Sequence, residues 1–261
     1  MRALAARLRG RAITSLVQRR PDLRFPLPER LQERLVGRRL VGFARRAKYI
    51  LADLDQGETL MIHLGMSGRL LLGAAPPGPH EHLTFGFDDG GVLRYVDPRR
   101  FGMMDLARTA DLARHPRLAG LGLEPLDPAF DGPALIRALA ASRSPLKVAL
   151  MDQRRVVGVG NIYACESLFR ARLSPQRAAG SLLPAQSRRL ALAIRAVLEE
   201  AIGAGGSSLR DYMQANGELG VFQDRFAVYD RAQQPCPTCR RPIVKLVQAQ
   251  RATYMCTRCQ R

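Results

Sequence analysis

The segment Cys236–Cys259, CPTCRRPIVKLVQAQRATYMCTRC, is the part of the sequence that constrains the fold most strictly. It contains two Cys-x2-Cys pairs, which are separated by 16 residues. The four cysteines are Cys236, Cys239, Cys256 and Cys259. Paired thiolates at this spacing are typical of a tetrahedral Zn²⁺ site with Zn–S bonds of about 2.3 Å. Because the protein supplies all four ligands, the spacing predicts one structural zinc ion. Redox-active dithiols and an iron–sulfur centre are the alternatives.

The residues between the two cysteine pairs predict a β-hairpin. Pro242–Val247 and Thr253–Met255 are strand-like runs, and 248–251 would form the tip between them. Such a rigid finger would present Arg251 to a phosphate or a groove of a nucleic acid. A solvated turn residue is the alternative for Arg251. The fifth cysteine, Cys165, lies apart from the pairs, and a small buried apolar residue is its expected role.

The charge of the chain indicates a polyanionic partner. Among 261 residues, 41 Lys and Arg face 23 Asp and Glu, which leaves a formal net charge of +18. An excess of this size repels itself, and nucleic acid is the usual partner that compensates for it. Arg dominates over Lys, and the planar guanidinium group suits phosphates and guanine edges. A general basic bias and a ribosomal or RNA-binding role are alternatives.

The sequence offers no membrane-spanning or secretory segment. No apolar run approaches the roughly 20 residues that a spanning helix needs. Residues 1–12 are basic but lack a following apolar stretch and a small-residue cleavage site, so they predict an amphipathic helix. Cysteines clustered in pairs argue for a metal rather than for disulfides. We therefore expect a cytoplasmic protein that does not associate with a membrane.

The two halves of the chain have different patterns. Strand-like runs occur at 13–17, 49–54, 60–64, 83–87 and 92–96, and turn residues separate them. Helical patterns follow at 133–141, 145–151, 161–170 and 181–202, the last with Ser181 as its N-cap and Gly203 beyond its end. These patterns predict a two-domain α+β protein: an N-terminal antiparallel β-sandwich flanked by helices, followed by a helical domain with a β-hairpin zinc finger.

Six motifs occur in an order that matches one family. They are Arg45-Arg46-Ala47-Lys48-Tyr49, His63-Leu64-Gly65-Met66-Ser67-Gly68, Asp97-Pro98-Arg99-Arg100-Phe101-Gly102, Leu121-Gly122-Leu123-Glu124-Pro125-Leu126, Gly158-Val159-Gly160-Asn161-Ile162-Tyr163-Ala164 and Gln250-Arg251-Ala252-Thr253-Tyr254. Across essentially its whole length the chain resembles bacterial formamidopyrimidine-DNA glycosylases. The endonuclease VIII group shares the architecture, but the motifs at His63 and Asp97 fit the formamidopyrimidine group better.

The resemblance implies a division into domains. Residues 1–118 would form the N-terminal β-sandwich catalytic domain, and 119–128 a linker. Residues 129–226 would form a DNA-binding domain with a helix–two-turns–helix element, and 227–261 the zinc finger. The partner implied is double-stranded DNA with oxidised purines or abasic sites. One flipped base needs one site, so a monomer located in the bacterial cytosol or nucleoid is expected.

The resemblance also assigns roles to individual residues. Met66, Arg99 and Phe101 would form a wedge that fills the gap left by a flipped base, with Arg99 reaching the orphaned cytosine. Apolar plugs and a bidentate donor suit these tasks, although Met66 and Phe101 could instead be ordinary core residues. Asn161 and Arg251 would pinch the backbone around the lesion; a helix-capping Asn is an alternative compatible with this role.

Three further assignments come from the same resemblance. Lys147 matches a lysine implicated in lesion recognition, and Lys48 one that contacts the phosphate near the lesion. Lys48 and Arg251 are the candidate catalytic residues within the chain. The segment 215–222 corresponds to a lesion-covering loop. It carries Glu218-Leu219 where Lys-Pro-like residues are common in the family, so we expect its contacts to the damaged base to differ.

The activity implied is base excision repair. Such an enzyme removes 8-oxoguanine and formamidopyrimidines and then cleaves the abasic strand by β,δ-elimination through a Schiff base. In the family a proline amine at the mature N-terminus is the nucleophile, and the glutamate that follows it handles protons. Neither is present here, because Met1–Leu4 aligns with the helix that follows them. We therefore consider a translation start upstream of Met1, a damaged-DNA-binding homologue without glycosylase activity, and a general nucleic-acid-binding zinc protein.

Overall fold

The computed structural model describes residues 1–207 and 219–261 and divides the chain into two compact units. The first unit comprises Met1–Ala119 and Gly205–Val221, and the second Gly120–Ala204 and Phe222–Arg261. The second unit thus contains both the helices and the cysteine finger. It also contains most of the segment predicted as a linker, in which the Leu123 N–H donates to the Arg155 carbonyl over 2.9 Å. The four-part division drawn from the sequence stays a prediction.

The first unit is a sandwich of two four-stranded antiparallel sheets. Its elements are α1 (Arg2–Leu8), β1 (Ile13–Gln18), α2 (Leu31–Leu35), β2 (Leu40–Arg46), β3 (Tyr49–Leu54), β4 (Glu58–His63), β5 (Arg69–Leu72), β6 (Glu81–Phe87), β7 (Val92–Val96), β8 (Met103–Arg108) and a 3-10 turn at Thr109–Arg114. The strand orders are β1-β6-β7-β5 and β2-β3-β4-β8. Both hairpins predicted from the sequence, β3–β4 and β6–β7, are present.

Alternation of side chains explains why these strands form a sandwich. Along β7, and along β6 from Leu83 onward, every second residue is buried, including Phe85 and Tyr95. The same hydrophobic core takes up Ile50 and Leu60 from the other sheet. The predicted α+β class with an N-terminal antiparallel sandwich is confirmed.

The second unit contains four α-helices and a two-stranded hairpin. Its elements are α3 (Gly132–Leu139), α4 (Leu146–Met151), α5 (Asn161–Arg170), a 3-10 turn at Ala179–Ser181, α6 (Pro184–Gly203), a 3-10 turn at Phe222–Arg225, β9 (Val244–Gln248) and β10 (Arg251–Met255). α6 packs against α3 and α5 and buries Leu190, Ile194 and Val197. Among the described residues, no helix is both long and apolar enough to cross a membrane.

The start of α6 differs from the prediction. Ser181 is not the N-cap, because its hydroxyl donates to the Ala178 carbonyl within the preceding 3-10 turn, over 2.8 Å. The N-cap is Leu183, and Pro184 occupies the first helical position. Proline favours that position because its ring already has a helical φ and its missing N–H would have had no partner there.

Candidate nucleic-acid interface

Two loops of the first unit carry the three residues predicted to form a wedge. Loop A, residues 64–68, joins β4 to β5 and presents Met66; loop B, residues 97–102, joins β7 to β8 and presents Arg99 and Phe101. Met66 is 63% exposed and Phe101 is 43% exposed. Large apolar side chains that protrude from loops are not core residues, so the core alternative for both is wrong.

The two loops are packed backbone against backbone. Gly65 has a φ of +65°, and a Cβ atom there would lie 2.4 Å from the Phe101 carbonyl carbon. At Gly102 a Cβ atom would lie 1.8 Å from the Tyr95 hydroxyl oxygen and 2.9 Å from the His63 carbonyl oxygen. Only glycine allows this approach. The motif glycines therefore bring the wedge residues together, although Met66 and Phe101 are far apart in sequence.

Arg99 is held above the aromatic ring of its own loop. Its Cζ atom lies 4.7 Å from the Phe101 ring centroid, within the range of a cation–π contact. Arg100, between them, has a φ of +53° in the left-handed region, and its N–H donates to the Asp97 carbonyl. The tight turn therefore places Arg99 and Phe101 on the same side of loop B.

A buried carboxylate connects the two loops. Asp97 is fully buried, and its Oδ1 accepts from the Ser67 hydroxyl over 2.5 Å. Its Oδ2 accepts from the Gly102 N–H at 2.8 Å and from the Tyr95 hydroxyl at 3.1 Å. Ser67 Oγ in turn accepts from the Arg99 N–H at 3.2 Å. Sequence reasoning quoted Asp97 and Ser67 as motif letters but assigned them no role.

Lys48 lies in the first unit on the turn between β2 and β3, where Ala47 has a φ of +54°. Burial, followed by the charges of Lys48 and Arg24, lowers the pKa of His63. The neutral His63 ring accepts at Nδ1 from the Gly65 N–H over 3.0 Å. The charge of Lys48 therefore favours the neutral form of His63, the residue that precedes loop A.

In the second unit, one backbone carbonyl connects two of the predicted site residues. The Ala252 oxygen accepts from Lys147 Nζ and from Asn161 Nδ2, each at 2.9 Å. Lys147 also donates to Thr253 Oγ1 at 2.6 Å and is only 1% exposed. Burial lowers the pKa of Lys147, with Arg251 adding to the effect and Cys165 opposing it. α4 and α5 thus hold β10 at the residue after Arg251.

Arg251 is exposed and is the first residue of β10, where it pairs with Gln248. The hairpin tip is the two-residue turn Ala249–Gln250, with φ values of +46° and +61°. Positive φ at both central residues is characteristic of the type I′ turn, which matches the twist of the flanking strands. The predicted tip, 248–251, is therefore wider than the observed turn.

Asn161 begins α5, and the turn before it contains Gly158 with a φ of +76°. The Asn161 amide nitrogen is directed at Ala252 and, at 3.4 Å, at the Tyr229 hydroxyl. Its buried Oδ1 has no hydrogen-bond partner within residues 1–207 and 219–261. The residue therefore links the helix start to the finger rather than capping its own helix, since the N-cap is Gly160 and no side-chain cap forms.

The four predicted zinc ligands converge. Their Sγ atoms all lie within 4.8 Å of one another, with Cys236 and Cys259 at 3.9 Å and Cys239 and Cys256 at 3.4 Å. Four sulfurs at about 2.3 Å from one tetrahedral zinc would lie about 3.8 Å apart, so the donor set fits the ion. The site is closed and binds one structural zinc. Cys165 belongs to the apolar cluster beneath the finger, as predicted.

A second buried carboxylate, which sequence reasoning missed, fixes the segment leading into the finger. Glu166 of α5 is fully buried and accepts from the backbone N–H groups of Ala227, Val228 and Tyr229 at 3.0, 3.0 and 2.8 Å. An acidic residue in an otherwise apolar stretch of α5 was the available signal. The predicted lesion-covering loop, 215–222, lies outside the described residues up to Glu218, whereas Phe222 is buried.

Comparison with known proteins first identifies the class. Family models match residues 1–104 (formamidopyrimidine-DNA glycosylase N-terminal domain), 121–213 (formamidopyrimidine-DNA glycosylase H2TH domain) and 233–261 (zinc finger found in FPG and IleRS). The matched domains define the class as DNA glycosylases that combine this N-terminal domain with an H2TH domain and a zinc finger. More particularly, the chain belongs to the formamidopyrimidine-DNA glycosylase family.

The similarity to individual relatives extends over nearly their whole length. The chain is 52% identical to the formamidopyrimidine-DNA glycosylase of Acidiphilium cryptum, with all of this chain and 96% of the relative covered. It is similar to the structure of Lactococcus lactis Fpg with DNA that contains an abasic site, at a TM-score of 0.91, 33% identity and coverage of 99% and 96%. A structure of MutM with DNA containing carbocyclic 8-oxo-G matches at a TM-score of 0.90, 32% identity and the same coverage.

Proposed function

We propose that this protein acts in base excision repair as a DNA glycosylase and AP lyase. It removes oxidised purines, namely 8-oxoguanine and formamidopyrimidines, from duplex DNA and cleaves the resulting abasic strand by β,δ-elimination. Its partner is double-stranded DNA with an oxidised purine or an abasic site, and it acts as a monomer in the bacterial cytosol or nucleoid.

The exposed wedge is the observation that carries this proposal. Chemistry on a base requires its removal from the stack, which costs a few kcal/mol. Met66 and Phe101 protrude from adjacent loops that their glycines hold in contact. Apolar side chains of this kind insert between base steps and replace the stacking that flipping removes. A protein that bound only the phosphate backbone would gain nothing from exposing two large apolar side chains.

Arg99 recognises the base on the opposite strand. The flipped purine leaves its cytosine without a partner, and an arginine can satisfy that base's acceptors with two N–H groups. The cation–π contact with Phe101 limits the orientations of Arg99 before DNA arrives. Phe101, which fills part of the gap, and Arg99, which reads the orphaned base, thus both belong to loop B.

Two groups of residues are suited to bind the backbone of the lesion strand. The second unit supplies the first group, and Lys48 of the first unit is suited to a phosphate near the lesion. Backbone N–H groups at the start of α5 and the exposed Arg251 guanidinium are suited to phosphate oxygens. Lys147 and Asn161 support this grip indirectly, since their amine and amide hold the Ala252 carbonyl next to Arg251. We therefore infer that Lys147 contributes to lesion recognition through the finger. The zinc ion fixes the finger's fold, and its four thiolates leave no position for a substrate.

The lyase step requires an amine that forms a Schiff base with C1′ of the sugar. The sequence has three lysines: Lys48 and Lys245 are exposed, and Lys147 is buried. Borohydride reduces a Schiff base to a stable secondary amine, so a covalent adduct with an 8-oxoguanine:cytosine duplex tests the chemistry directly. The Lys48→Arg variant keeps the charge but removes the candidate amine, and the Lys245→Arg variant is its matched control.

Each outcome of the trapping experiment has a distinct meaning. An adduct that Lys48→Arg abolishes and Lys245→Arg retains would make Lys48 the nucleophile, whereas one that survives both changes would point to the Met1 amine. Lesion-selective binding without an adduct would support the damaged-DNA-binding alternative for these 261 residues. Equal affinity for damaged and intact duplex at the same salt concentration would overturn the proposal and favour a general nucleic-acid-binding zinc protein.

A further inference from the structure

We propose that Asp97 and Ser67 are positioning residues for the wedge, and that they set the discrimination among bases opposite the lesion by fixing the backbone of loops A and B. This inference rests on the proposed function. Neither residue is exposed enough to touch DNA, since Asp97 is fully buried and Ser67 is 1% exposed. Their effect on recognition must therefore pass through the loops that they connect.

Asp97 connects the two ends of loop B. The residue stands at the start of the loop, and its Oδ2 accepts from the N–H of Gly102 at the loop's end over 2.8 Å. Its backbone carbonyl accepts from His82 Nε2 at 2.9 Å, which anchors the residue to β6. The side chain thus closes loop B into a ring that contains Arg99 and Phe101.

Ser67 extends the connection to loop A. Its hydroxyl donates to Asp97 Oδ1 and accepts from the Arg99 N–H, so a single oxygen joins the loop of Met66 to the backbone of Arg99. A hydroxyl that donates to a carboxylate becomes a better acceptor, because bonds in a chain polarise one another. The Asp97 side chain therefore strengthens the bond that holds Arg99.

Tyr95 holds the Asp97 carboxylate in place through a hydrogen bond. Burial and the adjacent Asp97 charge raise the pKa of the Tyr95 phenol, so its hydroxyl stays protonated and donates to Oδ2. Three neutral donors therefore satisfy a carboxylate that would otherwise be costly to bury. An asparagine at position 97 can keep its oxygen for Gly102 and Tyr95, but its N–H₂ group would then donate to Ser67 Oγ. The neutral side chain therefore reverses that hydrogen bond and no longer strengthens Ser67 Oγ as the acceptor that holds Arg99.

The first unit contains a matched control for Ser67. Thr59 is also fully buried, and its hydroxyl donates to Asp53 Oδ1 over 2.6 Å, in strands β4 and β3 away from the wedge loops. Thr59→Val and Ser67→Ala each remove one buried hydroxyl that donates to an aspartate. Comparable losses of stability are therefore expected from both, but only Ser67→Ala disconnects Arg99.

The test measures the dissociation constants of the full chain for duplexes with 8-oxoguanine opposite C, A, G or T. We expect Ser67→Ala and Asp97→Asn to reduce the preference for C over A by about tenfold, the scale of one bidentate base contact. Thr59→Val should keep the wild-type preference. Fluorescence of 2-aminopurine placed beside the lesion should likewise report weaker wedge insertion in the first two variants only.

Two contrary results have different meanings. If Ser67→Ala folds and keeps the wild-type preference, or if Thr59→Val loses it to the same extent, the positioning role is refuted even when Asp97→Asn does not fold. If the wild-type chain itself binds all four duplexes no better than intact DNA, the proposed function fails instead.

Discussion

Replacing Glu166 with glutamine should weaken the attachment of the zinc finger to α5 while changing only one polar group. In the wild-type chain the two carboxylate oxygens accept three backbone N–H groups at 2.8–3.0 Å. Glutamine keeps one oxygen, which can still accept from Val228 and Tyr229. Its N–H₂ group would face the Ala227 N–H, donor against donor. One buried donor therefore loses its partner, and the other two bonds lose their ionic character.

These losses can be summed from typical values. An unsatisfied buried donor costs about 1–3 kcal/mol, and replacing a charged acceptor by a neutral one weakens each remaining bond by about 1 kcal/mol. The sum is about 4 kcal/mol, which corresponds to a shift of about 1–2 M in the urea midpoint at ordinary m-values. Far-UV circular dichroism follows the transition, because the helices longer than seven residues in the described part of the chain, α3, α5 and α6, all lie in this unit.

A surface glutamate of the same unit provides the control. Glu200 is paired with Arg170 and its side chain is 40% exposed. Replacing it with glutamine should lower the free energy of unfolding by less than about 1 kcal/mol. Zinc release by a colorimetric chelator should also be faster in Glu166→Gln than in Glu200→Gln. If the two variants share the same midpoint and the same rate of zinc release, the reasoning about Glu166 is refuted.

Three other predictions follow from the sites described. Arg99→Ala should weaken discrimination of the base opposite the lesion by about 1–3 kcal/mol in binding assays, and unchanged affinity across all four opposing bases would contradict the role of Arg99. Removal of zinc by a chelator should unfold the finger and abolish lesion binding, with recovery on adding Zn²⁺, because structural zinc contributes about 10 kcal/mol or more to folding; binding that survives complete removal would count against Arg251. Burial lowers the pKa of Lys147 below its ordinary 10.5, so above the lowered pKa the unfolded chain binds more protons than the folded one. The unfolding free energy of the wild type relative to Lys147→Met should therefore rise as the pH increases through the lowered pKa towards 10.5, and urea titrations with a constant difference would exclude this linkage.

Features that depend on local chemistry were predictable from the sequence. The cysteine spacing predicted the zinc site, and alternation with turn residues predicted the β3–β4 and β6–β7 hairpins. The prediction of the α6 N-cap was wrong because two local signals competed. Ser181 could cap a helix, but Pro184 favours the first helical position, and the helix begins at Pro184.

Features that depend on distant contacts were not predictable. An isolated lysine is expected to be solvated, yet Lys147 is buried against a hairpin 105 residues away, and only the fold supplies its acceptors. The partner of Asp97 is Ser67, 30 residues earlier in the chain, and the three donors of Glu166 lie more than 60 residues later. Side chains whose role is to hold other segments leave little trace in the sequence around them.

The turn Ala249–Gln250 has a consequence for engineering. Both residues adopt the left-handed conformation, which costs non-glycine residues roughly 1–2 kcal/mol each. Asn-Gly adopts the same turn with much less strain, so Ala249→Asn combined with Gln250→Gly offers a route to a more heat-resistant finger. Glycine at position 250 also gives the unfolded chain more conformational freedom, which offsets part of this gain. The natural dipeptide thus marks a position where the heat resistance of the finger can be tuned by changing two residues, without touching a ligand of the metal or the neighbouring Arg251.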